Sequence, residues 1–328
     1  MATDDLRKRI EALNKKPLEN VPDAKPEEPP DIKALRRKLG KVQSKYNQRL
    51  ARTEPAVAKP PEPIIYSRTM PVTPAKPLSE PDFSPPLALE DAIDGIVTDA
   101  PFGPGYYLVE LAAHDLEADS LYLHRRFVSL TGHPNGEAVE RLAAVRGAGR
   151  IAPDEVVFLD IETTGLGMTP LFLIGTMECT EAGFHFRQYF ARDYSEEGSV
   201  IAAASERLAQ TGLLVTFNGK SFDLPFIENR ATATGVRLRY PESHLDILHE
   251  ARRCYRRDLP NCRLQTLEQM VCGRCREDDI PSAEIPEAYH QFVRTGNANK
   301  IRLILQHNLY DLLTMADLMS RMWGRDSK

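Results

Sequence analysis

From about residue 153 onward the apolar positions gather into strand-like and helix-like blocks, whereas before residue 85 they hardly cluster. Glu155–Asp160 is a nearly continuous apolar run, the pattern of a strand covered on both faces. Leu171–Glu178 and Phe184–Phe190 read as two more strands, joined by the turn-like Thr180-Glu181-Ala182-Gly183. Three short strands in succession predict an antiparallel meander. Ser195 is placed to cap a helix running to about Gln210, with Glu196 and Glu197 in its first turn. A fourth strand follows at Leu213–Phe217 and a second helix at Ser221–Thr234. His244–Tyr255 reads as a short strand turning into a helix, and further helices are expected near Leu264–Val271, Pro286–Val293 and Asn299–Met322. The predicted class is α/β: a mixed sheet of three antiparallel strands, then helix–strand alternation, with helices on both faces.

The first 150 residues are less regular. Asp94–Thr98 and Tyr106–Glu110 flank Pro101-Phe102-Gly103-Pro104-Gly105 and suggest a hairpin, with a helix expected around Glu137–Val145. Residues 86–150 are expected to be an accessory β-rich segment leading into a main domain at 151–324. Residues 1–85 hold 14 of the 25 prolines and few large apolar side chains, so disorder is expected there. Within that tail, residues 33–52 carry eight basic residues and no acidic one. Leu35, Leu39, Val42, Tyr46 and Leu50 recur at helical steps, so this basic amphipathic segment is a candidate tether for a nucleic-acid or protein partner.

Charge sharpens the division. Residues 1–85 have 17 Lys and Arg against 12 Asp and Glu, a balance of +5; since the chain totals −5, the remainder carries −10. An acidic folded part would repel nucleic acid unless cations and a local basic track intervene, for which Arg252, Arg253, Arg256 and Arg257 are candidates. No apolar run approaches a membrane span and the start has no apolar signal core, so the expected location is cytoplasmic, without a membrane role. Among the five cysteines, Cys272 and Cys275 form a Cys-x-x-Cys pair. Cys254 and Cys272 fall where a helical stripe wants a small hydrophobe, so reduced thiols rather than a zinc site are expected.

Four acids carry the candidate chemistry. Asp160 and Glu162 are two apart at the end of an apolar strand, hence on one face, before Thr163-Thr164-Gly165 breaks it. Asp223 follows the turn signal Asn218-Gly219 in the first turn of a helix, immediately after a core strand, where ligands of open α/β sheets gather. Asp311 lies mid-helix with His307 one turn earlier on the same face. Buried carboxylates need a compensating positive charge, and no lysine or arginine shows a matching spacing. Hard oxygen donors without thiolate point to Mg²⁺ or Mn²⁺. Two such ions can activate water and steady the departing oxygen of a phosphodiester, with neutral His307 as the candidate base.

These residues resemble a known group. Asp160-x-Glu162-Thr163-Thr164-Gly165-Leu166, Asn218-Gly219-x-x-Phe222-Asp223-x-Pro225-Phe226 and His307…Asp311 look like the three motifs of DEDD (DnaQ-like) 3′→5′ exonucleases of the ribonuclease H-like fold. The stretches His244–His249, Leu259-Pro260-Asn261, Leu264–Glu268, Asp279-Ile280-Pro281 and Ile285–Tyr289 are similar to the YprB-type ribonuclease H-like domain, over about residues 153–322. The resemblance implies a metal-dependent 3′→5′ exonuclease acting on single-stranded DNA or RNA ends. Asp160, Glu162, Asp223 and Asp311 would bind two Mg²⁺ or Mn²⁺ ions. His307 departs from the pattern: it stands four before the last acid, where the resembled tyrosine subgroup has Tyr. Thr163, Thr164, Asn218 and Phe222 are candidate substrate contacts, Phe222 as a stacking platform or as core. Asp246 reads as a strand-end or capping residue. An internal cut of ribonuclease H type, or a nucleic-acid-binding module of weak catalysis, remain alternatives.

Overall fold

The structure, a computed structural model, describes residues 85–100, 103–132, 151–276 and 278–323. The basic segment at 33–52 and the helix expected at 137–145 lie outside the described residues.

The sheet has the order β1-β2-β5-β4-β3-β6-β7. Its centre is the expected meander: β3 (Val156–Thr163), β4 (Leu171–Cys179) and β5 (Phe184–Phe190) pair antiparallel in succession. β6 (Leu213–Thr216) then joins β3 in parallel and β7 (His244–Asp246) joins β6 in parallel. The run expected as an accessory hairpin, β1 (Ile96–Thr98) and β2 (Tyr106–Ala112), extends the same sheet. Tyr107–Ala112 pairs antiparallel with His185–Phe190 of β5.

Alternation along β3 sorts the two faces. Val157, Leu159 and Ile161 enter one apolar cluster with Val200, Ile201, Ala204 and Leu208 of α2 (Glu197–Leu208) and Ile227 and Ala231 of α3 (Asp223–Thr234). Val156 and Phe158 enter the other, with Phe127 of α1 (Ser120–Gly132), Ala251 and Tyr255 of α4 (Ile247–Tyr255), and Leu312, Leu313 and Ala316 far down the chain. Phe127, Phe158 and Phe184 meet there edge-to-face, with centroids 5.4–6.4 Å apart. Each such ring buries a large apolar area, and truncating one to Ala would cost about 3–5 kcal/mol. α5 (Ile285–Thr295) packs Tyr289 flat on Phe172 at 4.0 Å, and α6 (Asn299–Trp323) crosses the sheet and contributes to both clusters.

Local chemistry places two boundaries differently from expectation. The cap before α2 is Asp193, whose carboxylate accepts from the Ser195 N–H at 2.8 Å, so Ser195 lies in the turn that leads into the helix. The helix beginning at Leu264 widens into a π-type turn over Glu268–Cys272 and stops at Gly273, whose φ of 74° suits glycine. That stop sends the next residues back across α6.

Candidate active site

The face of β3 that carries Val156 and Phe158 continues into Asp160 and Glu162. A register shift between Glu162 and Thr163 ends the regular ladder there, and both acids keep partial access to solvent. Asp223 opens α3 and is buried. The turn before it is forced: Asn218 has φ 68°, and a Cβ on Gly219 would lie 2.3 Å from Thr216 Oγ1. Asp246 fixes that turn, accepting from the N–H groups of Asn218 (2.8 Å), Lys220 (3.2 Å) and Leu248 (3.1 Å). It is the capping residue its position suggests.

The tertiary structure brings Asp160, Glu162, Asp223 and Asp311 into one electrostatic neighbourhood. Burial, then the charges of Asp311, Glu162 and Asp223, hold the Asp160 carboxyl well above the usual range, opposed by a hydrogen bond from Asn308. Burial also pushes Glu162 up to about 8 and Asp223 up to about 7. Among the described residues, no lysine or arginine pairs with these three acids. They are short of positive charge.

Asp311 is different, and here the sequence expectation is corrected. The Arg276 Nη2 donates to Asp311 Oδ1 at 2.5 Å. The same guanidinium donates to Glu268 at 2.8 Å and Asp279 at 3.4 Å, and lies over the Tyr310 ring at 5.5 Å. Its side chain is 7% exposed. A buried arginine therefore balances one acid of the four, through tertiary proximity that no spacing along the chain signalled. As the side chains stand, no group of three or more His, Cys, Asp or Glu among the described residues is arranged to hold a metal ion. The acids are gathered but not closed into a ligand shell.

His307 lies in the same network. Its Nδ1–H donates to Asp279 Oδ1 at 2.6 Å, and its Nε2 stands 3.5 Å from Asp311 Oδ2. Burial lowers its pKa, but the Asp279 bond and the charges of Asp311 and Glu162 outweigh that and raise it to about 9. Without cations at the acids these partners favour the protonated imidazole, whereas the base expected from the sequence is the neutral form.

The other candidates take local roles. The Thr163 hydroxyl donates to Gly165 O at 2.9 Å and the Thr164 hydroxyl to Pro170 O at 3.0 Å, so both close the loop after β3. Phe222 packs on Phe226 at 5.7 Å, at the edge of the core. Arg276, Asp279, Glu268 and Asn308 were missed as site residues. No local signal marked them, since each reaches the site only through tertiary contact.

Residues 157–323 match the family model described as RNase_H superfamily. The chain is 31% identical over 176 residues to a protein of Bacillus subtilis (strain 168) named uncharacterized protein YprB; the match spans 52% of this chain and 42% of that protein. A family B DNA polymerase from the hyperthermophilic archaeon Pyrobaculum calidifontis aligns with a TM-score of 0.40 and 17% identity, over 50% of this chain and 24% of the polymerase. Among the described residues, no helix is long and apolar enough to cross a membrane.

Proposed function

The chain belongs to the RNase_H superfamily, and from that premise we propose that it is a divalent-metal-dependent 3′→5′ exonuclease acting on single-stranded DNA or RNA ends. The observation that carries this reading is the trio Asp160, Glu162 and Asp223. Burial raises all three pKa values, aided by nearby carboxylates that include Asp311 in each case, with no lysine or arginine pairing them among the described residues. Such a trio fits oxygen-seeking cations, and Mg²⁺ or Mn²⁺ bound there would lower the pKa of water and neutralise charge developing on a phosphodiester. A second ion would need Asp311, which Arg276 would then have to release.

The chain's own groups supply the rest. Asp279 fixes the His307 ring by holding Nδ1–H, which directs Nε2 toward Asp311 and makes it the atom that orients or deprotonates the attacking water. Once the acids are balanced by cations, the pull on His307 falls to that of Asp279, and the imidazole can lose its proton nearer neutral pH. Thr163, Thr164, Asn218 and Phe222 line the turns beside the acids and are the proposed contacts to the terminal nucleotide. The basic segment at 33–52 is the proposed tether to a nucleic-acid or protein partner.

The Arg276–Asp311 pair favours one other reading, a nucleic-acid-binding module of weak catalysis. End-labelled DNA and RNA oligonucleotides, incubated with Mg²⁺, Mn²⁺ or chelator, separate the two. We expect stepwise shortening from the 3′ end with metal, none with chelator, and none with Asp160→Asn at unchanged circular dichroism. Turnover by Asp160→Asn, or by the chelated protein, would overturn the metal mechanism. Oligonucleotide binding without cleavage would select the binding module.

A further inference from the structure

Asp160 on β3 pairs across the sheet with Gly175 on β4, and Gly175 with Gln188 on β5, so the three residues form one cross-strand row. Asn308 of α6, fully buried, lies over the middle of that row. A Cβ on Gly175 would stand 1.9 Å from Asn308 Oδ1 and 2.8 Å from its Nδ2. The absent side chain is what lets the helix amide come down onto the strand.

Hydrogen bonding fixes the orientation of each amide in turn. Gln188 Nε2 donates to the backbone oxygen of Leu305 at 2.9 Å and to Asn308 Oδ1 at 2.8 Å. A backbone carbonyl only accepts, so the glutamine atom facing it is the nitrogen, and the asparagine atom facing that nitrogen is the oxygen. Asn308 Nδ2 is thereby turned toward β3, where it donates to Asp160 Oδ2 at 2.8 Å and reaches Asp160 O at 3.3 Å. Gln188 Oε1 is buried without a hydrogen-bond partner. The glutamine thus sits as its donor requires, with the pair of bonds made by Nε2 fixing its orientation.

Resting on the metal reading of Asp160, we infer that Asn308 and Gln188 are positioning residues for that site. Gln188 sets the direction of the Asn308 amide, Asn308 holds Asp160 Oδ2, and Oδ1 stays outside that bond for a cation. Gly175 supplies the gap through which the relay runs. None of the three touches substrate. Outer partners of this kind orient ligands, and their loss costs about 10- to 100-fold in metal affinity.

The test is a double-mutant cycle on the full chain, read by Mn²⁺ titration calorimetry and by electron paramagnetic resonance of free Mn²⁺. Gln188→Met removes both donors at nearly constant shape, and Asn308→Leu removes the link. Each alone is expected to weaken Mn²⁺ binding about 10- to 100-fold. Gln188→Met is expected to add nothing in the Asn308→Leu background, because its effect passes through Asn308. Independent effects of the two side chains on the site would give additive losses, and additivity overturns the relay. Unchanged affinity in Gln188→Met, while the unmodified protein binds Mn²⁺, overturns this inference alone. No Mn²⁺ binding by the unmodified protein overturns the metal reading and takes this inference with it. Should the variants fail to fold, the unmodified protein suffices: Mg²⁺ should shift the side-chain amide ¹⁵N signals of Asn308 and Gln188, and unshifted signals at saturating Mg²⁺ overturn the relay.

Discussion

Replacing Glu162 by Gln removes one charge from the acid cluster at constant shape, and the consequence should be visible without any catalysis. Burial, aided by Asp311 and Asp223 and opposed by His307, raises the Glu162 pKa from 4.5 to about 8. A folded-state pKa above the unfolded one means that folding favours the protonated form. The associated stability is fully present below about pH 4.5 and is lost as pH rises toward 8. At 1.36 kcal/mol per pH unit, that interval sets a ceiling of about 5 kcal/mol. Glu162 still meets solvent on one side, so a working figure is about 2–3 kcal/mol, or roughly 5–10 °C in Tm. His307, raised to about 9, adds a loss of the same sign over its own window, from 6.5 to about 9. In thermal melts with chelator, Glu162→Gln should match the unmodified protein at pH 5 and exceed it at pH 8. Added Mn²⁺ should then raise the unmodified protein more than the variant. A difference between the two proteins that does not change from pH 5 to pH 8, or a less stable variant at pH 8 in chelator, would refute the claim that burial and the neighbouring carboxylates outweigh His307 at Glu162.

Arg276→Met should tighten binding of a second Mn²⁺ by freeing Asp311, while costing on the order of 3 kcal/mol because Glu268 loses a buried ionic partner. Calorimetric stoichiometry and urea melts read both effects, and an unchanged second affinity would show that Arg276 does not gate Asp311. Asp279→Asn keeps an acceptor for His307 Nδ1–H but removes the charge. The imidazole proton signal should therefore titrate below the value of about 9, toward 6.5; a midpoint that stays near 9 would assign the shift to other groups. Asp246→Ala strands the N–H groups of Asn218, Lys220 and Leu248. It should cost about 2–4 kcal/mol in urea unfolding, and a loss under 1 kcal/mol would mean that water replaces the carboxylate there.

The meander, the helix–strand alternation and the four acids were legible because each is written locally. Continuous apolar runs mark strands covered twice, and Asp160 and Glu162 stand out as acids ending such a run. The hairpin at 96–112 was legible too, but not its partner: pairing with β5 joins residues about 80 apart, and no local pattern records that. α1 escaped notice because its apolar stripe is interrupted by His124, Arg125 and Arg126.

What the tertiary structure alone decided is the balance of charge. The sequence determines that acids from three separate stretches exist, and its strand and helix periods determine which way each faces. It does not determine that a chain stop at Gly273 returns Arg276 onto α6, or that Asp279 holds Nδ1 of His307. Nor does it reveal that a glycine on β4 admits the Asn308 amide beside Asp160. Periodicity is a property of neighbours along the backbone. Coulomb energies and hydrogen bonds depend on distances of a few ångströms between groups far apart in the chain, and only folding sets those.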